Sequence, residues 1–188
     1  MKKLIGALAL SLAAANANAG LMDVSYIQVT NALGTWLQIA EIWAVDMSTT
    51  NVALTGTATS NEAGGTYFTS PTLVNDGDLS GTYPNIFHEG APTSNGAMVT
   101  LTLAAPTELA GFAIFGRTDC CSDRDVYNVE FFNESDESLY YAASLDATGE
   151  RHAAFIEFGP SSQVPVPASV GLIGLGLLGL AARKKRQA

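Results

Sequence analysis

Between residues 20 and 163 the chain has no lysine and only three arginines, Arg117, Arg124 and Arg151, against all 18 of its acidic groups. That stretch therefore carries a net charge of −15. A body so acidic repels phosphate backbones and anionic lipid heads, which excludes nucleic acid and peripheral lipid as partners. Cysteine is almost missing as well: the only two are neighbours, Cys120 and Cys121, so no disulfide framework closes a loop. Charged residues make up 14% and hydrophobic ones 47%, which excludes a disordered acidic chain. There is no nucleophile elbow, no metal-binding helix pair and no phosphate loop, so no enzyme is expected. Asp123 and Asp125 form a carboxylate pair of the kind a glycosidase uses, but such pairs arise easily in this composition. At 188 residues the chain suits one domain with terminal signals and is short for two.

Both ends read as addresses. Residues 1–19, MKKLIGALALSLAAANANA, place two lysines before an apolar run and end in Ala17-Asn18-Ala19. That is the layout of a signal peptide cleaved before Gly20, which predicts export into a compartment where disulfides persist. At the other end, 164–188 opens with Val-Pro-Val-Pro and continues as 15 uncharged, mostly apolar residues, 168–182. It closes on Arg183-Lys184-Lys185-Arg186. Fifteen helical residues rise about 22 Å, short of a hydrocarbon core of roughly 30 Å. The basic cluster stays cytoplasmic by the positive-inside rule and leaves the body outside. The layout resembles the PEP-CTERM sorting signal, with Val166 where that family usually has glutamate. The resemblance implies processing by an exosortase, a membrane peptidase of bacteria that make extracellular polysaccharide. It also implies a transient membrane anchor through a short hydrophobic helix, and residence in the envelope or extracellular matrix.

The body, 20–163, reads as all-β. Val99-Thr100-Leu101-Thr102-Leu103 alternates strictly, as a half-buried strand does. Short β-branched and aromatic runs at 26–30, 36–45, 51–58, 110–116, 126–132, 139–144 and 152–158 bring the strand candidates to eight, separated by Gly, Asn and Asp breakers. The long irregular span 66–96 signals function rather than an idle connection. Eight short strands around one core predict a jelly-roll β-sandwich.

The cysteines sit in Arg117-Thr118-Asp119-Cys120-Cys121-Ser122-Asp123-Arg124. Two readings fit these residues. One is a vicinal disulfide, a rigid apolar knob that forces an unusual backbone and staples nothing. The other is a pair of free buried thiols with the arginines paired to Asp123 and Asp125. The segment looks like the sugar site of F-type (fucolectin-like) lectins, within the wider discoidin, or galactose-binding-like, fold. That resemblance implies the disulfide, packed against the apolar side of L-fucose. It also implies that Arg117, Arg124 and an upstream histidine bond the sugar, with Asp119 orienting an arginine. His88, with 28 residues between it and Arg117, is the only upstream histidine. Arginine forks suit vicinal hydroxyls, and a neutral imidazole donates or accepts.

The same resemblance implies a structural calcium, held by oxygen donors. Asp76-Gly77-Asp78 matches the family's acidic turn, Asn85 the residue just before the histidine, and Ala40-Glu41 its late Ala-Glu pair. The pair comes first here, so the domain resembles a cyclic rearrangement of the family order, which a sandwich with adjacent termini tolerates. Ala97-Met98 stands where relatives often carry aromatics. The function expected is an exported, envelope- or matrix-associated binder of fucose-like glycans or exopolysaccharide. The alternative is a structural matrix β-sandwich protein without sugar binding.

Overall fold

The computed structural model describes residues 20–62, 64–90, 96–133 and 139–158. The expected signal peptide, 1–19, and the expected sorting segment with its hydrophobic helix, 164–188, lie outside the described residues. The described part is all-β. Nine strands run in chain order as β1 (Leu21–Asn31), β2 (Gln38–Ile39), β3 (Glu41–Asp46), β4 (Thr57–Ser60), β5 (Phe87–His88), β6 (Met98–Phe115), β7 (Val126–Phe132), β8 (Leu139–Asp146) and β9 (Ala153–Glu157).

One antiparallel sheet carries the order β3-β6-β1-β7-β8, with β4 and β9 also paired to β6, and β2 pairs with β5 as a separate ladder. Strand β6 is the spine. Its first half lies between β1 and β4, and its second half between β3 and β9. The halves meet at a bulge, where Val24 pairs with Thr107 but Tyr26 already pairs with Thr102. Pro106 falls in that bulge, where its missing N–H leaves no ladder bond unmade. The two runs expected at 99–103 and 110–116 are therefore one bent strand.

Period-two alternation builds the core. Ile27 pairs with Leu101 on one side and Phe131 on the other, and Val29 with Val99 and Val129. All six side chains are buried. In the second half Ile42 pairs with Ile114, and Ala44 with Phe112. The sheet curls until these rows meet: Phe112 packs edge-on against Phe131 with ring centroids 5.2 Å apart.

Two further expectations change. The run 36–45 is not one strand, because the chain passes at Ala40 from the β2–β5 ladder into the main sheet. The run 51–58 begins as a 3-10 turn, Val52–Thr55, and becomes strand only at Thr57. The Asn51 side chain accepts the Ala53 N–H and caps that turn, an option the polar side chain offers its own backbone.

Candidate functional site: an aromatic depression with two arginines

Three connections converge at the end of the sheet where β1 and β6 finish: the β1–β2 loop, the long stretch between β4 and β5, and the β6–β7 loop. Trp36, Tyr67, Tyr83, His88, Arg117 and Arg124 line a depression of about 290 Å³ there. The register places two of them, since His88 pairs with Gln38 in the β2–β5 ladder, two residues from Trp36. The His88 ring lies 5.3 Å from Trp36, 6.0 Å from Tyr67 and 5.9 Å from Tyr83, centroid to centroid. Three aromatic rings thus surround one imidazole.

His88 Nδ1 is 2.7 Å from the Glu89 carbonyl oxygen. A carbonyl only accepts, so Nδ1 carries the proton and Nε2 is left as an acceptor in the neutral ring. Burial, with help from the Arg117 and Arg124 charges, holds the His88 pKa below its ordinary value. Arg117 lays its guanidinium 5.5 Å from the centre of the Tyr83 ring. It grips Asp119 in a two-pronged pair through Nε and Nη2. Cys120 and Cys121 are joined by a disulfide, and Cys121 has left-handed backbone, φ 58°. The free-thiol alternative therefore gives way to the bonded one, and Arg117 pairs with Asp119 rather than with Asp123 or Asp125.

A buried polar network fixes this loop from below. Asp125 accepts the Arg117 backbone N–H at 2.7 Å and the Gln38 Nε2 at 2.8 Å. The same Gln38 amide donates to the Cys121 carbonyl at 2.9 Å, and Tyr127 donates to the Gln38 carbonyl at 2.7 Å. Asn31 Nδ2 donates to the Arg124 and Trp36 carbonyls. Gly116 is required here, because an added Cβ would collide with the Asp125 carboxylate. Gly81 is required too: its φ is +64°, and a Cβ would meet the Thr118 side chain at 2.6 Å.

The sequence-predicted ligand set is thus brought together in part. His88, Arg117 and Arg124 share one depression, while Asp119, Cys120 and Cys121 belong to its loop but not to its lining. Trp36, Tyr67 and Tyr83 were not expected. The only sequence signal for the two tyrosines is that both lie in the irregular span 66–96. A larger concavity of about 590 Å³ lies on the outer face of β3, β6 and β9. It is walled mainly by apolar residues such as Trp43, Met47 and Phe155, and none of the predicted residues lines it.

Of the expected calcium residues, Glu41 meets the turn Asp76-Gly77-Asp78. Its Oε2 accepts the Gly77 N–H at 3.2 Å, while Oε1 is buried without a hydrogen-bond partner among the described residues. Burial and the Asp76 and Asp78 charges push the Glu41 pKa up to about 7. Asp76 and Asp78 spend oxygens on Asx turns to Asp78 and Ser80. Ala40 donates its N–H to the Phe115 carbonyl, and Asn85 is exposed with its N–H on the Thr82 carbonyl. Among the described residues no three His, Cys, Asp or Glu side chains converge closely enough to hold a metal ion. The orphaned Glu41 oxygen facing an acidic turn is nevertheless oxygen-donor chemistry of the kind calcium takes.

These carboxyls make stability depend on pH. Burial raises Asp125 to about 6 and Glu41 to about 7, above ordinary values of 3.8 and 4.5, and raises Glu89 as well. A folded-state pKa above the unfolded one contributes stability that is present at low pH and lost as pH rises through the folded value. His88, depressed, acts in the opposite sense as one group against three. The unfolding midpoint measured in chelator should therefore fall between pH 5 and pH 8, and Glu41→Gln should flatten that fall. A midpoint that climbs over this range would contradict the assignment.

Residues 163–186 match the PEP-CTERM protein-sorting motif. No curated protein and no solved structure matches the chain. The motif at 163–186 indicates an exported protein sorted by an exosortase.

Proposed function

We propose that this exported protein is a carbohydrate-binding protein of the envelope or extracellular matrix, not an enzyme, and that its depression recognises fucose-like sugars. In this reading the curled sheet is a jelly-roll sandwich of the galactose-binding-like kind. The observation that carries it is the convergence of His88, Arg117 and Arg124 with three aromatic rings in one depression. A sugar needs both elements: forked donors and an acceptor for its hydroxyls, and flat apolar surfaces for its C–H faces. The aromatic walls, one half-occupied by Arg117, suit the second need. Calcium would draw on the unpartnered Glu41 oxygen and pull Asp76 and Asp78 of the facing turn in toward it, with Ala40 and Asn85 as further oxygen donors, and would fix the turn beside the sugar loops. Thr118 links the two sites by donating to the Ser80 and Gly81 carbonyls, both at 2.8 Å.

The direct test is calorimetric titration of the full chain, disulfide intact, with L-fucose in calcium and in chelator. Saturable binding in calcium supports the reading, and heat of dilution alone from folded protein overturns it. Calcium itself should raise the unfolding midpoint, through about 2.7 kcal/mol of added stability at a hundredfold excess over its dissociation constant. Glu41→Gln should abolish that increment. An increment unchanged by Glu41→Gln would place calcium elsewhere. A structural matrix protein without sugar binding is the second reading, favoured because only the sorting segment matches a known family. It predicts the blank titration.

A further inference from the structure

We infer that the sugar taken most tightly by the depression carries a single negative charge, a uronate carboxylate or one sulfate ester, and that Arg124 selects it. This rests on the sugar-binding reading above and ranks its ligands: neutral fucose-like sugars bind, and a singly acidic sugar binds more tightly.

The argument starts from the two guanidiniums. Arg117 is already neutralised, with two of its nitrogens on the Asp119 carboxylate. Arg124 lines the same depression, is partly buried, and forms no ion pair among the described residues. Its hydrogen bonds are made by its backbone, which accepts from Asn31 and donates to the Cys121 carbonyl. His88 adds no charge while neutral, and no carboxylate lines the depression. The lining therefore presents one uncompensated positive charge between aromatic rings, where water screens it less than at an open surface. A carboxylate or sulfate matches the guanidinium fork with two parallel hydrogen bonds, which a pair of hydroxyls does with less strength.

The rest of the body limits the charge that is tolerated. With a net −15 over 20–163, and with Asp119 and Asp123 exposed in the same loop, a polyanion meets repulsion wherever it leaves the depression. An isolated acidic residue in an otherwise neutral glycan avoids that repulsion. The volume, about 290 Å³, sits at the lower end of small-molecule sites, roughly 300–1,000 Å³, and has room for one ring.

The experiment compares D-galacturonate, D-galactose and L-fucose by titration of the full chain in calcium. Galacturonate and galactose differ only in the carboxylate at C6. Galacturonate should bind at least tenfold more tightly than galactose, and in Arg124→Gln that ratio should fall close to one. Polygalacturonate, per residue, should bind more weakly than the monomer at low ionic strength and recover as salt is added. Equal affinity for galacturonate and galactose, or a ratio that survives Arg124→Gln, overturns the charge inference while fucose or galactose binding leaves the sugar reading standing. Tighter binding of polygalacturonate at low salt also overturns it. No binding of any of the three sugars overturns both.

Discussion

Arg117→Ala is expected to weaken binding of L-fucose by about a hundredfold with the fold intact. The side chain is held on two sides before any ligand arrives, by Asp119 and by the Tyr83 ring. Its donors are therefore oriented in advance, which reduces the ordering cost of binding. Two charge-assisted hydrogen bonds to hydroxyls are worth roughly 1.5 kcal/mol each, or about 3 kcal/mol together. That corresponds to about two decades in Kd. Stability should hardly move. The Arg117–Asp119 pair is close to the surface, where such pairs contribute at most about 1 kcal/mol. The bond to Asp125 comes from the Arg117 backbone and survives the substitution. Asp119→Asn should weaken binding less, because it removes only the orienting partner. Titration with a parallel thermal melt separates the two effects, and wild-type affinity in Arg117→Ala would show that the sugar is not held in this depression.

Asp125→Ala should destabilise the folded protein by about 2–5 kcal/mol. The carboxylate is fully buried and is the shared acceptor for the Arg117 N–H and the Gln38 amide. Its removal leaves two buried donors without partners, at roughly 1–3 kcal/mol each, and a void where Gly116 now lets the carboxylate approach. The consequence reaches the site, since the same Gln38 amide also holds the Cys121 carbonyl and its backbone receives the Tyr127 hydroxyl. Binding should therefore fall along with stability even at temperatures where the variant stays folded. Denaturant unfolding measures the first effect and titration at low temperature the second. A variant as stable as wild type would mean that the network under the loop contributes little.

The parts of this molecule that could be read from sequence are those whose signal is local. Strict alternation at 99–103 and the β-branched run at 126–132 became β6 and β7 because period two is a property of the strand itself. Within RTDCCSDR the residues alone left free thiols and a disulfide equally open, and it was the lectin resemblance that implied the bonded cysteines and the Arg117–Asp119 pair found in the structure. His88 reached the arginines across a long span, carried there by its resemblance rather than by any periodic signal. What stayed hidden depends on long-range register. Nothing around Gln38 indicates that its amide meets Cys121 and Asp125, more than eighty residues away. Trp36 read as the first residue of a strand but lies before β2 and faces the depression. Tyr67 and Tyr83 sit in irregular backbone, where an aromatic side chain has no face to be assigned. The runs at 99–103 and 110–116 read as two strands, but the bulge that contains Pro106 joins them in β6.

The measurement closest to the central claim is a glycan array probed with the full chain, purified oxidised, in calcium and again in chelator. The account predicts a calcium-dependent signal confined to fucose-like and singly acidic sugars, lost in Arg117→Ala. A blank array from protein that unfolds cooperatively and retains the Cys120–Cys121 bond would contradict it. That result would leave an exported β-sheet scaffold whose role lies in the matrix to which its tail directs it.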